Sequence, residues 1–200
     1  MIASLLAVDQ WLFVLLNQQV ANPLFDWIFP LITQPQPWLI VAAAGTGWLI
    51  WKYRSAGLQF VLMSALAIGT TDAFNSRVLK PWFERQRPCH SMTAVRLLVR
   101  CGSGYAFPSS HAANAFCAAG LLAWGLRRWQ WGWWGMAVLI GFSRIYCGVH
   151  YPADVLAGAA EGLLLARGWL CITRRFFPCA VLPNSQCWKN SGAVDARQTS

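Results

Sequence analysis

A chain of 200 residues that is 56% hydrophobic and only 12% charged is too apolar for an ordinary soluble domain, and its length suits one domain. Its formal net charge of +9 does not mark it as a nucleic-acid binder, because the basic residues sit in short clusters between apolar runs and form no extended basic face. Those clusters read as membrane-topology signals and local anion sites.

Taken in chain order, residues 1–34 carry no Lys or Arg, and Asp9 and Gln10 interrupt an apolar start. The stretch lacks the charged beginning of a secretory leader and is expected to be retained. Asn17, Gln18, Gln19, Asn22 and Pro23 divide it into two short apolar pieces, suited to an interfacial or re-entrant helical region. Clean apolar segments follow at about 38–51, 57–79, 109–126 and 130–147. A fifth, at about 152–171, holds Asp154 near its start and Glu161 inside it. Some fall short of the roughly 20 residues that cross a bilayer, and tryptophans near their ends, such as Trp51, Trp82, Trp129 and Trp131, supply interfacial anchors. Gly158 and Gly162 form a small-xxx-small pair suited to close helix contact. The expected fold is all-α, a polytopic transmembrane bundle of about five to six membrane helices over residues 1–177. A polar, disordered cytoplasmic tail is expected over 178–200.

If each of the five segments spans, Lys52 and Arg54, Arg127 and Arg128, and Arg174 and Arg175 share one side, which the positive-inside rule makes cytoplasmic. The 80–108 loop and the 147–152 turn then face outward. That loop is itself basic, with Lys80, Arg85, Arg87, Arg96 and Arg100, against the charge rule unless its cations serve another purpose.

The same topology gathers Lys80, Arg87, Ser109, Ser110, His111, Arg144, His150 and Asp154 at one membrane depth, although they span 75 residues of chain. Lys80, Arg87 and Arg144 suit an anion, since guanidinium groups grip phosphate oxygens through paired hydrogen bonds. Pro108 precedes a helix start whose free amides, around Ser109–His111, favour a phosphate; Ser109 could equally be a plain N-cap. His150 and Asp154 are four apart where a helix begins, so the carboxylate can accept one imidazole N–H and leave the other nitrogen as a nucleophile. His111 is then available to protonate the departing oxygen. A zinc set of His111, His150 and Asp154 is the competing reading, opposed by three cations aimed at the same place. His90 shows no evident partner, Asp72 and Arg77 read as a helix-end pair, and Glu84 reads as a loop charge beside Arg85 or Arg87.

Three blocks carry a resemblance: KPWFERQRP from Lys80 to Pro88, PSSH from Pro108 to His111, and SRIYCGVHYPAD from Ser143 to Asp154. They resemble the signature of the type-2 phosphatidic acid phosphatase family, which includes vanadium haloperoxidases and glucose-6-phosphatase. The signature is Lys-x6-Arg-Pro, Pro-Ser-Gly-His and Ser-Arg-x5-His-x3-Asp. Only Ser110 departs, standing where the family usually has Gly; the change restricts the backbone but keeps the N–H. The resemblance implies a phosphohistidine on His150, oriented by Asp154, with His111 as acid and then base. It implies phosphate held by Lys80, Arg87, Ser109, Ser110 and Arg144, with no metal and no cofactor. The expected function is hydrolysis of a lipid phosphate or diphosphate at the outer face of the cell (inner) membrane, by a multi-pass protein whose active site faces the periplasm or outside. Undecaprenyl diphosphate is the leading substrate, ahead of phosphatidylglycerophosphate, phosphatidic acid and lipid A. The expected partners are that substrate and membrane lipids, not nucleic acid. A non-catalytic lipid-phosphate binder or transporter is the alternative from another class, and it would have no need of the His–Asp pair.

Seven cysteines show no Cys-x-x-Cys pairing. Cys89 and Cys101 both fall in the outward loop, where an oxidising compartment permits a disulfide; two free thiols are the plain alternative. Cys179 and Cys187 are expected to face the cytoplasm and stay reduced.

Overall fold

The computed structural model describes residues 2–176, and every regular element among them is helical. The tail over 178–200, with Cys179 and Cys187, lies outside the described residues.

The two opening apolar pieces are two short helices. α1 (Ile2–Val14) runs into a wider π turn at Leu15–Gln19, and α2 (Pro23–Thr33) starts at Asn22, whose side chain accepts the Phe25 N–H at 3.0 Å. The polar break between them anchors the region. Buried Asn17 donates to the Arg96 carbonyl at 2.9 Å and to the Tyr146 carbonyl at 2.8 Å, and it accepts the Arg96 N–H at 2.9 Å.

α3 (Pro35–Phe74) covers 40 residues as two helical arms. A straight helix of that size would be about 60 Å long. It is broken at Arg54, with φ 53 and ψ −126, and Gly57 lies against the Leu49 carbonyl. The chain therefore doubles back, giving two arms that correspond to the segments read at 38–51 and 57–79. The second arm ends in a π turn (Asn75–Leu79), followed by α4 (Lys80–Phe83) and α5 (Pro88–Ser91).

After the 92–109 loop come α6 (Ser110–Gly125), a 3-10 turn (Arg127–Trp129), α7 (Gln130–Tyr146) and α8 (Pro152–Phe176). α6 packs chiefly on α8 and α7. The approach to α8 needs glycine: a Cβ on Gly158 would overlap the Ser109 carbonyl, and one on Gly162 the Ala113 carbonyl. Phe60, Met63, Cys117, Leu121 and Ala166 form a core joining the second arm of α3 to α6 and α8. Phe13 packs edge-on against Tyr151, ring centroids 5.3 Å apart, and Phe29 against Tyr146 at 4.9 Å, so the opening helices rest on both sides of the 147–151 turn.

Two stretches among the described residues are long and apolar enough to cross a membrane, 36–91 (which contains the fold-back) and 152–175. α6 and α7, with 16 and 17 residues, are only about 24 and 26 Å long.

Candidate active site

The site is built where α6 and α8 begin and α7 ends. The Ser109 N–H donates to the Asp154 carbonyl at 2.9 Å, tying the two helix starts together. Gly148, at φ +83, turns the chain after α7, and the N–H groups of Val149 and His150 then return to the Arg144 carbonyl at 3.2 and 3.3 Å. The spacing from Arg144 to His150 is thus the length of one closed turn.

His150 is 1% exposed. Its Nε2 lies 3.4 Å from Arg87 Nη1, and its Nδ1 lies 3.5 Å from Asp154 Oδ2. A guanidinium can only donate, so Nε2 is the acceptor and the ring proton belongs on Nδ1, facing the carboxylate. The Nδ1–Asp154 approach is too loose for a hydrogen bond. Burial, then the fields of Arg87, Arg144 and Lys80, hold the imidazole well below its ordinary range, against a smaller opposing pull from the Ala106 carbonyl. The ring is neutral, and its one lone pair, on Nε2, is directed at Arg87.

Around it two of the cations, Arg87 and Arg144, are held by hydrogen-bond partners. Arg87 Nε donates to the Gly104 carbonyl at 2.8 Å. Arg144 Nη1 donates to the Thr33 hydroxyl, while its Nε has no partner. Ser109 occupies the N-cap position of α6 without capping it, and its buried Oγ is unpartnered. The plain capping role is therefore not the one its side chain takes. The Ser110 hydroxyl instead donates to Asn75 Oδ1 at 2.7 Å. His111 is exposed where His150 is buried, and it lies within the electrostatic reach of Arg144, His150, Lys80 and Arg87.

Three residues here escaped the sequence reading. Arg85 donates to Asp154 Oδ1 at 2.7 Å and to Asp9 Oδ2 at 2.6 Å, and its guanidinium sits over the Tyr151 ring at 4.2 Å. Asp9 also accepts the Ala153 N–H at 2.8 Å, so α1 holds the first turn of α8. Thr33, at the end of α2, holds Arg144. The signals were Asp9 as a charge in an apolar stretch and Arg85 as one of the outward-loop cations that break the charge rule; Thr33 had none.

Several assignments are corrected. Glu84 accepts from the Tyr105 hydroxyl at 3.0 Å, while Arg85 turns to the two aspartates. Asp72 accepts from Asn114 Nδ2 at 3.1 Å across to α6, where a pair with Arg77 was expected. His90 has partners after all, with Nε2 3.1 Å from the Gly102 carbonyl and 3.3 Å from Cys101 Sγ. The disulfide expected between Cys89 and Cys101 is formed, with Cα atoms 6.4 Å apart, in the loop that carries Arg87. Among the described residues, the one group of three or more His, Cys, Asp or Glu ligand atoms within 4.8 Å of one another is Cys89, His90 and Cys101. His111, His150 and Asp154 do not come together as a zinc set.

Residues 56–178 match the PAP2 superfamily. The lipid A 4'-phosphatase of Porphyromonas gingivalis is 31% identical over 168 residues, covering 80% of this chain and 71% of that protein. The undecaprenyl-diphosphatase of Sulfolobus acidocaldarius is 32% identical over 108 residues, covering 54% of this chain and 50% of its own length. The crystal structure of the transmembrane PAP2-type phosphatidylglycerolphosphate phosphatase from Bacillus subtilis superposes with a TM-score of 0.69 at 28% identity, covering 86% of this chain and 88% of that one. The chain belongs to the PAP2 superfamily as a membrane lipid phosphatase.

Proposed function

We propose that the enzyme works through a phosphohistidine on His150 and acts on a lipid phosphate reached from the outer membrane interface. The observation that carries this is the single ring set between Arg87 on its Nε2 side and Asp154 on its Nδ1 side. Lys80, Arg87 and Arg144 hold the non-bridging oxygens, with Ser109 Oγ and the first amides of α6. Nε2 attacks phosphorus, the P–O bond to the lipid breaks, and His111 gives the leaving oxygen its proton. As charge develops on the ring, Asp154 draws Nδ1–H into a hydrogen bond, because resting geometry of this kind tightens only with substrate. His111 then takes a proton from water, which attacks phosphorus and releases inorganic phosphate and free His150. The fixed cations stabilise charge at phosphorus where a metal ion otherwise would.

The two arms of α3, with α6, α7 and α8, are the five proposed crossings, which put the 80–108 loop outside and the Lys52/Arg54, Arg127/Arg128 and Arg174/Arg175 pairs inside. For the substrate, the likeness to lipid A 4'-phosphatase runs over most of the chain and favours a phosphate monoester on a lipid A-type head group. Undecaprenyl diphosphate, the substrate expected from the sequence, is the second reading, supported by the undecaprenyl-diphosphatase likeness over 54% of the chain.

The test compares kcat/KM on lipid A, undecaprenyl diphosphate, phosphatidylglycerophosphate, phosphatidic acid and p-nitrophenyl phosphate, in one detergent with EDTA. Rapid quenching with mass-spectrometric mapping of the acid-labile phosphate accompanies it. Phosphate trapped on His150 and preference for a lipid support the proposal. A soluble ester hydrolysed as well as the lipids, or full activity in His150→Ala, overturns it.

A further inference from the structure

Glu161 is a carboxylate inside α8, two turns beyond Asp154, where an apolar side chain would suit a membrane helix better. It is 8% exposed, and one oxygen, Oε1, has no hydrogen-bond partner. Such a group is costly and calls for a reason. Its other oxygen, Oε2, accepts from Asn75 Nδ2 at 2.6 Å. Asn75 is fully buried, and its Oδ1 accepts from the Ser110 hydroxyl at 2.7 Å. The Asn75 carbonyl accepts the Lys80 backbone N–H, closing the π turn that ends at the phosphate site. Asn75 is thus bonded by its side chain to Ser110 and by its backbone to Lys80.

Ser110 is the position at which the three-part signature departs from glycine. A free serine hydroxyl in the first turn of a helix competes for the nearby backbone amides. Here those amides are the ones a phosphate needs. We infer that Asn75, backed by Glu161, is a positioning residue that holds the Ser110 hydroxyl away from the phosphate and leaves the first amides of α6 free for it. Ser110 then serves the phosphate through its N–H alone. The inference rests on the phosphate site proposed above. Asn75 and Glu161 touch no reacting atom and act through Ser110.

The test is a double-mutant cycle read by binding of inorganic phosphate to the purified full chain by calorimetry, which requires no turnover, with KM measured alongside. Asn75→Leu and Glu161→Leu weaken phosphate binding and raise KM about tenfold, the effect of a lost hydrogen bond to a charged group. Glu161→Gln, which still accepts from Asn75, stays within about twofold of wild type. In a Ser110→Gly background there is no hydroxyl to hold, so Asn75→Leu costs less than about twofold. If it costs the same in both backgrounds, the pair acts on packing or on Lys80, and the inference falls. Unchanged phosphate affinity in a folded Asn75→Leu protein also overturns it. Should Asn75→Leu not fold, Asn75→Ser takes its place in the same cycle. Wild type that binds phosphate without turnover would sink the proposed function and leave this inference to the cycle.

Discussion

Arg85 lies 2.7 Å from Asp154, so a cation that belongs to no fixed position of the three-part signature holds the carboxylate that faces His150. Arg85→Ala leaves that fully buried carboxylate without its counter-charge and free to shift. A displacement of about 1 Å at a catalytic group costs on the order of 10²-fold in rate. The expected result is that loss in kcat with KM changed by less than about threefold, since Arg85 does not reach for the phosphate. Arg85→Lys keeps the charge but not the two-pronged reach to Asp154 and Asp9, and falls between. Steady-state kinetics with a lipid substrate decide it. A rise in KM at unchanged kcat would instead make Arg85 a phosphate ligand.

His111→Ala is expected to separate leaving groups. An alkoxide leaving a lipid monoester needs its proton more than nitrophenolate does, so general-acid loss of about 10²–10⁴-fold should fall on the lipid and much less on p-nitrophenyl phosphate. Equal losses on both would give His111 a binding role.

The Cys89–Cys101 bond closes a 12-residue separation next to Arg87. Intact mass after alkylation, with and without reductant, should show two additional labels on reduction, mapping to Cys89 and Cys101. Loss of the crosslink in Cys89→Ser/Cys101→Ser should lower stability by about 3 kcal/mol and raise KM by loosening Arg87. Both thiols alkylated before reduction would sink the pairing.

The depressed His150 value fixes the sign of the pH dependence. Below about pH 6.5, where an ordinary histidine titrates, the unfolded chain binds a proton that the folded ring does not. This group's contribution to stability is therefore complete above about pH 6.5. It falls on acidification by up to about 1.4 kcal/mol per pH unit. Melting in detergent between pH 5 and 7.5 should show the decline, with a shallower slope in His150→Asn. Since the ring stays neutral, turnover should also persist below pH 6.5, and an acid limb of kcat/KM centred at 6.5 that belongs to His150 would contradict the burial argument.

What the sequence displayed was local or set by topology. His150 and Asp154 are four residues apart where α8 begins, so the way they face each other follows from spacing, and the two arms of α3 follow from two apolar runs around Lys52 and Arg54. The hidden parts are tertiary choices between chemically equivalent partners. Glu84 and Arg85 are neighbours in the chain and invite pairing, yet consecutive residues point apart, and Arg85 meets Asp9 and Asp154 instead. Thr33 bonds Arg144 across 111 residues with no periodicity to announce it. His90 was passed over because its partners, the Gly102 carbonyl and Cys101 Sγ, lie 12 and 11 residues along a loop with no periodicity to reveal them.

Asp9 and Thr33 precede residue 56, where the match to the superfamily begins, yet one steadies Arg85 and the other Arg144. Two enzymes with identical signatures but different opening helices need not hold their reacting groups alike. Divergence in turnover within such a family can therefore accumulate in a stretch that motif comparison passes over, and a chimera exchanging only residues 1–34 would transfer it.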